Sequence, residues 1–178
     1  IRDEADLKGL SRAGRAVATA LEEMKARLRP GITTRELDRI GARVLARHGA
    51  VSAPASLYRF PGATCISVNE AVAHGIPSDR VLREGDLVNL DVSAGLDGYF
   101  ADTGFTMLAG SGSSALEDLC ACSRRALRKA LGAARAGAPV RHVGAAIERE
   151  ARASGYTVLR NLAGHGVGRK LHEDPSIP

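Results

Sequence analysis

The sequence predicts an α+β fold, in which helical patterns flank a β-rich middle and the same order begins again after it. Three observations carry this. Leu7, Leu10, Gly14, Val17, Leu21, Met24 and Leu28 recur every three or four residues, the period of an amphipathic helix. Runs of β type follow at 64–69, 86–93 and 98–108, bounded by turn residues. From residue 114 the helical spacing returns. With 178 residues, 44% hydrophobic and 25% charged, the chain has the length and composition of one domain with a sizeable core. Aromatics are only 3% and Trp is absent, so Ala, Leu and Val are expected to fill that core.

The first helix is expected over residues 3–28, ended by Arg29-Pro30-Gly31. Thr33 and Glu36 form a capping box that opens a second helix to about His48, with Gly49 as its stop and Leu37, Ile40, Val44 and Leu45 as its buried face. "TCISVN" (64–69) and "DLVNLDVS" (86–93) are strands joined by "EAVAHGIPSDRVLREG". "GYFADTGFTML" (98–108) follows a Gly-Leu-Asp-Gly turn and reads as the return strand of a hairpin. Ser114 and Glu117 are expected to cap a third helix to about Arg135, and a fourth runs from about Val140 to Ala153, stopped by Gly155. "YTVLRNLAGHG" begins another strand. Helix–helix–strand–strand thus appears once and starts over, which points to an internal duplication. No low-complexity segment or linker divides the chain, so residues 1–178 are expected to form one domain.

Several function classes drop out on composition. The longest apolar runs fall far short of the roughly 20 residues that a membrane span needs. The first residues, Ile1-Arg2-Asp3-Glu4, are charged and lead into no apolar segment, so no signal peptide is expected. A chain starting at Ile1 is expected to have been processed, trimmed or cut from a longer frame. Three cysteines, Cys65, Cys120 and Cys122, make an odd set that suits a reducing cytosol. Cys120 and Cys122 stand two apart on a helix and do not face each other, so they form no metal site. The net charge of +5 comes mainly from Arg scattered over Ala-rich helices without a dense basic run, which reads as solvated faces, not a nucleic-acid surface.

The hairpin carries the strongest chemical signal. If Leu96-Asp97 is the two-residue turn, Asp91 pairs with Asp102; if Asp97-Gly98 is the turn, the two carboxylates are diagonal neighbours. Side chains alternate with period two, so both registers leave them on one face, whereas a three-residue turn without a bulge would separate them. Val88, Leu90 and Val92 make the other face, which is a core face. Like charges held together near a sheet destabilise it unless they share a proton or bind a cation. His165 lies between Gly164 and Gly166, whose small size leaves room for a ligand beside the backbone. Two aspartates and a histidine form an O,O,N set suited to Mn, Fe, Co or Zn, without choosing among them. The residues alone point to a metal hydrolase with an incomplete ligand set.

"SVNEAVAHGIPSDRVLREGDLVNLDVSAGLDGYFADTGFTML", together with "GHGVGRKLHEDP", resembles a type I methionine aminopeptidase, and the resemblance runs from about Asp6 to the last residue. It implies the pita-bread fold, an antiparallel sheet flanked by helix pairs in two pseudo-twofold halves. It also implies that Asp91, Asp102 and His165 ligate two divalent metal ions, with Asp102 bridging. His74 and His172 become active-site histidines that bind substrate and do not ligate metal. In such an enzyme a metal-activated hydroxide attacks the Met-Xaa carbonyl, and one metal can hold the free α-amine. Phe60, Cys65 and Leu171 are expected in the pocket for the Met side chain, although 57–60 (Leu-Tyr-Arg-Phe) departs from the usual aromatic pattern. The family completes its site with two later glutamates that fall beyond Pro178, so the 178 residues are expected to be incomplete and inactive alone.

The resemblance further implies peptides and nascent chains with N-terminal Met as substrates, a transient ribosome contact, a cytoplasmic monomer, and no membrane or specific nucleic-acid partner. One alternative is an X-Pro aminopeptidase or prolidase, which shares the fold and the Asp, Asp, His pattern. The short helical lead-in and the HGIP segment argue against it. Another is a non-catalytic pita-bread binding module, which would have no reason to keep the whole set of ligands and histidines.

Overall fold

Asp3 opens the first helix, α1 (Glu4–Arg27), by accepting a hydrogen bond from the backbone N–H of Asp6. The second, α2 (Thr34–Arg47), starts at the expected capping box: Thr33 Oγ1 accepts from Glu36 N, and the Glu36 carboxylate accepts from Thr33 N. Gly49, with φ +69°, follows its end. This computed structural model describes residues 1–177. The chain continues through β1 (Val51–Ser52), α3 (Ala53–Tyr58), β2 (Cys65–Val68), β3 (Leu87–Leu96) and β4 (Tyr99–Leu108), then α4 (Ser114–Ala133), α5 (Arg141–Ala153), β5 (Gly164–Gly166) and β6 (Glu173–Ile177). The duplicated order is therefore present, with α4, α5, β5 and β6 as its second round.

Some expectations shift. The cap of α4 is Ser113, not Ser114, because Ser113 has the extended backbone from which its Oγ can accept from Leu116 N. Residues 156–163 form no strand, and β5 is confined to three residues. β1 and α3 are additional to the expected elements, since two- and six-residue pieces are too short to display a period.

The residues divide into two compact units, the first comprising Ile1–Gly112 with Val167–Leu171, the second Ser113–Gly166 with the residues from His172 on. In the first, β3 is the central strand of an antiparallel sheet. One of its edges takes β2 (Cys65↔Asp91 to Val68↔Val88) and β1 (Val51↔Gly95), while the other takes β4 along its full length. The turn is Asp97-Gly98, both at positive φ (51° and 77°), as a tight type I′ hairpin requires. Val88, Leu90 and Val92 are fully buried with Ile66 and Val68, and they pack against Val17, Leu21, Met24, Leu37, Val44 and Leu45 of α1 and α2. Ala, Leu and Val do supply most of this core.

α1 is rotated from its expected setting. Leu7 is exposed, and the buried stripe begins instead at Gly9, Ala13 and Ala16. The reason lies at Gly9, where an added Cβ would collide with the Tyr99 ring, so the helix approaches β4 as closely as a glycine permits. Gly14, one and a half turns on, has nothing within 4 Å of that position. We expect opposite signs from the same substitution. Gly14→Ala stabilises by up to about 1 kcal/mol through helix propensity, whereas Gly9→Ala destabilises by about 1–3 kcal/mol through overpacking. Paired thermal melts check this, and a stabilised Gly9→Ala would contradict the packing described.

In the second unit, α5 lies beside α4 and places Glu150 between Lys129 and Arg125 (2.7 Å to Arg125). Hydrogen bonds from Lys129 and then Arg125 hold its carboxyl down to about 2. β5 and β6 form an antiparallel pair with a register shift between His165 and Gly166. Among the described residues no helix is long and apolar enough to cross a membrane.

Candidate metal and peptide site

The polar face of the first unit's sheet follows from register. Asp91 is opposite Gly104, and Asp102 is opposite Ser93, so the two aspartates are diagonal neighbours on one face. This is the second of the two registers that the sequence allowed. Cys65 and Ser67 of β2 pair with Asp91 and Asn89, which puts them on the same face, and the Asn89 amide donates to Thr106 Oγ1 at 3.0 Å. Diagonal partners have Cα atoms about 7–8 Å apart. Gly104 contributes no side chain between them, so two carboxylates can close on a cation there at bond lengths of about 2.0–2.6 Å. The donor set fits a divalent metal.

Cys65 registers the charge of this pair. Its thiol is pushed up to about 12, first by burial, then by Asp91 and Asp102, with Asp38 adding to them. Asp38 is held close by the chain itself. Its Oδ1 accepts from Ala63 N, Thr64 N and Thr64 Oγ1 at 2.8–2.9 Å, which fixes the entry to β2.

His74 stands exposed on the loop between β2 and β3 with φ +54°, a left-handed conformation that costs a non-glycine residue about 1–2 kcal/mol. Gly75 beside it lies hard against β2, where an added Cβ would run into the Ile66 carbonyl. The HGIP segment is thus pressed onto the outer edge of β2, whose other edge pairs with β3 and sets Cys65 opposite Asp91.

The second unit holds the other two histidines. Pairing of β5 with β6 brings the His165 and His172 rings to 4.2 Å between centroids, tilted by 52°. His165 Nδ1 lies 3.1 Å from the Gly166 carbonyl, which can only accept, so the contact suits the tautomer with the proton on Nδ1 and the lone pair on Nε2. That is the tautomer a metal ligand needs. The room expected at Gly166 has another use. Its missing Cβ makes space for the Glu173 and Asp174 carbonyls of β6.

Of the expected pocket residues, Phe60 is half-buried just after the left-handed Arg59, Cys65 is buried on β2, and Leu171 is buried at the end of the 167–171 segment. That segment is anchored in a way no local motif announced. Phe100 N donates to the Gly168 carbonyl at 2.7 Å. The Arg169 guanidinium sits 3.8 Å over the Tyr99 ring and pairs with Asp6 at 2.9 Å. Contacts made 163 residues apart leave no trace in spacing. Ser67, Gly104 and Asn89 could have been found, since each falls at an even step from Cys65, Asp102 or Asp91 on strands already recognised. Among the described residues no three His, Cys, Asp or Glu side chains form a ready metal cluster; each unit holds its own pair, Asp91 with Asp102 and His165 with His172.

The sequence matches Metallopeptidase family M24 over residues 8–178. Methionine aminopeptidase 2 of Bacillus subtilis is 50% identical over 177 residues, which are 99% of this chain and 71% of that protein. The solved structure of methionine aminopeptidase from Thermotoga maritima superposes with a TM-score of 0.97 at 34% identity, covering 100% of this chain and 72% of that one. Prolidase from Pyrococcus furiosus shares the fold at a TM-score of 0.85 but is 22% identical, covering 99% of this chain and 51% of its own. The fold is the pita-bread fold that the sequence led us to expect, and the chain belongs to metallopeptidase family M24, where it stands with the methionine aminopeptidases.

Proposed function

We propose that the complete protein performs the metal-dependent removal of N-terminal methionine from peptides and nascent proteins. The observation that carries the reading is the 50% identity to a methionine aminopeptidase along nearly the whole chain, against 22% to a prolidase of the same fold. Membership of the family implies divalent metal ions. We infer two of them, drawn from Co, Mn, Fe or Zn, with Asp91, Asp102 and His165 as the ligands this chain provides. When bound, such ions supply Lewis-acid polarisation of the scissile carbonyl and a lowered pKa for water.

The residues divide the remaining work. His172 donates a hydrogen bond to the carbonyl oxygen as charge develops there, and His74 assists at the substrate amide. The neighbouring His165 ring restricts how far the His172 imidazole can turn. Phe60, Cys65 and Leu171 receive the methionine side chain. Buried on β2, Cys65 offers the methionine side chain a small apolar wall. Three free, buried cysteines support a reducing compartment, so we place the reaction in the cytoplasm, with a monomer acting on chains in transient contact with the ribosome.

The test, on the complete protein, compares Met-Ala-Ser with Ala-Pro after stripping with chelator and reloading with each metal. We expect free methionine from the first peptide, none of either product before reloading, and no attack on Ala-Pro. Cleavage of Ala-Pro alone would assign the chain to the prolidase side of the fold. Binding of peptide and metal without turnover would make it a recognition module.

A further inference from the structure

We propose that Ser67 is the positioning residue for His74: its hydroxyl anchors Gly75 to β2 and thereby sets the left-handed turn that presents the imidazole. The proposal rests on the reading above that His74 acts at the substrate amide.

The loop from Asn69 to Arg80 is tied down at both ends. At its start, Asn69 N donates to the Leu87 carbonyl at 2.8 Å, and the Asn69 amide donates to Asp86 at 2.9 Å. At its end, Ser78 N donates to Thr34 Oγ1 at 2.8 Å, Arg35 N to the Ser78 carbonyl at 2.9 Å, and the Arg35 guanidinium grips Asp79 through two bonds. Midway, Gly75 is bonded to β2 twice. Ile66 N donates to the Gly75 carbonyl at 2.9 Å, and Gly75 N donates to Ser67 Oγ at 3.0 Å.

These two bonds differ in kind. The first is backbone to backbone, as in any strand pair. The second replaces the carbonyl a neighbouring strand would offer with a side chain, and so depends on what stands at position 67. Ser67 is 2% exposed, which leaves no route for water to replace its hydroxyl. His74 itself is exposed, so packing does not hold its φ of +54°; the restraint comes through Gly75. Ser67 also shares the sheet face with Cys65 and Asp91. The hydroxyl therefore references His74 to the strand that faces the carboxylates. Without it, Gly75 N is unpaired, the loop lifts from β2, and His74 relaxes out of the left-handed region.

The experiment uses the metal-loaded protein with Ser67→Ala, Ser67→Cys, Ser67→Thr and His74→Ala. Cysteine is slightly larger than serine and accepts hydrogen bonds weakly, so it removes the anchor without opening a cavity. We expect Ser67→Ala and Ser67→Cys to lower kcat on Met-Ala-Ser by about 10²-fold, the effect of misplacing a catalytic group by an ångström, with KM little changed. Ser67→Thr restores the rate. Independently of turnover, the His74 imidazole NMR signals, assigned by their loss in His74→Ala, shift in Ser67→Ala and Ser67→Cys while metal content and the His165 signals stay as they were. Unmoved His74 signals and an unchanged kcat in Ser67→Cys overturn the proposal, provided His74→Ala is slow. If His74→Ala turns over normally, the role given to His74 falls and the proposal with it.

Discussion

Replacing Asp102 by Ala in the complete protein is expected to abolish metal binding and to reduce methionine release by at least about 10³-fold, since a Lewis acid supplies several kcal/mol of transition-state stabilisation and each 1.4 kcal/mol is tenfold. What makes the test decisive is stability. Asp102 is exposed and diagonal to Asp91 on one sheet face, so its truncation opens no cavity and removes a like-charge neighbour. The metal-free variant should therefore melt within about 0.5 kcal/mol of the metal-free parent. Added metal separates them. At a hundredfold excess over Kd the parent gains about 2.7 kcal/mol by mass action and the variant gains nothing. Elemental analysis with melts in the presence and absence of metal reads both effects. A variant that still gains stability from metal would show that Asp102 is not a ligand.

The two carboxylates were legible because strands announce their faces. Alternation of Val88, Leu90 and Val92 with Asn89, Asp91 and Ser93 assigns one set to the core, and that assignment survives either choice of turn. The choice itself needed the backbone: Asp97 and Gly98 both adopt positive φ, which an Asp-Gly pair tolerates better than Leu-Asp does. The capping box at Thr33 was equally local and equally readable. The rotation of α1 was not. Its apolar period counts Leu7 as a core residue, but a ring delivered from β4 at Tyr99 makes small residues the better face, and nothing near Gly9 in sequence says so. The same limit hid the Arg169–Tyr99–Asp6 cluster and the Ser67–Gly75 bond. These contacts are set by which strand lies beside which loop, and periodicity within a segment holds no information about its neighbour. At Gly166 the missing Cβ makes space for another strand's carbonyls, a requirement that the residues around His165 do not announce.

Leu90→Ala should produce the largest loss of stability, about 2–5 kcal/mol. Leu90 has 0% exposure and is paired with Ile66 on one side and Phe105 on the other, so the cavity opens at the centre of the sheet where neighbours on three strands are already fixed by backbone bonds and cannot collapse inward. Against a total of roughly 5–15 kcal/mol, this leaves the fold marginal at elevated temperature. Yet Leu90 faces away from Asp91, its neighbour in sequence, because successive residues of a strand point to opposite sides. Molecules that remain folded should accordingly keep their metal and their kcat, and activity lost on warming should return on cooling as far as refolding allows. Asp102→Ala should behave in the opposite way, folded at every such temperature and inactive at all of them. Urea titration beside turnover per folded molecule distinguishes the two. If Leu90→Ala lost its metal while still folded, the two faces of β3 would be coupled through the strand, and their separate assignment to packing and to chemistry would have to be abandoned.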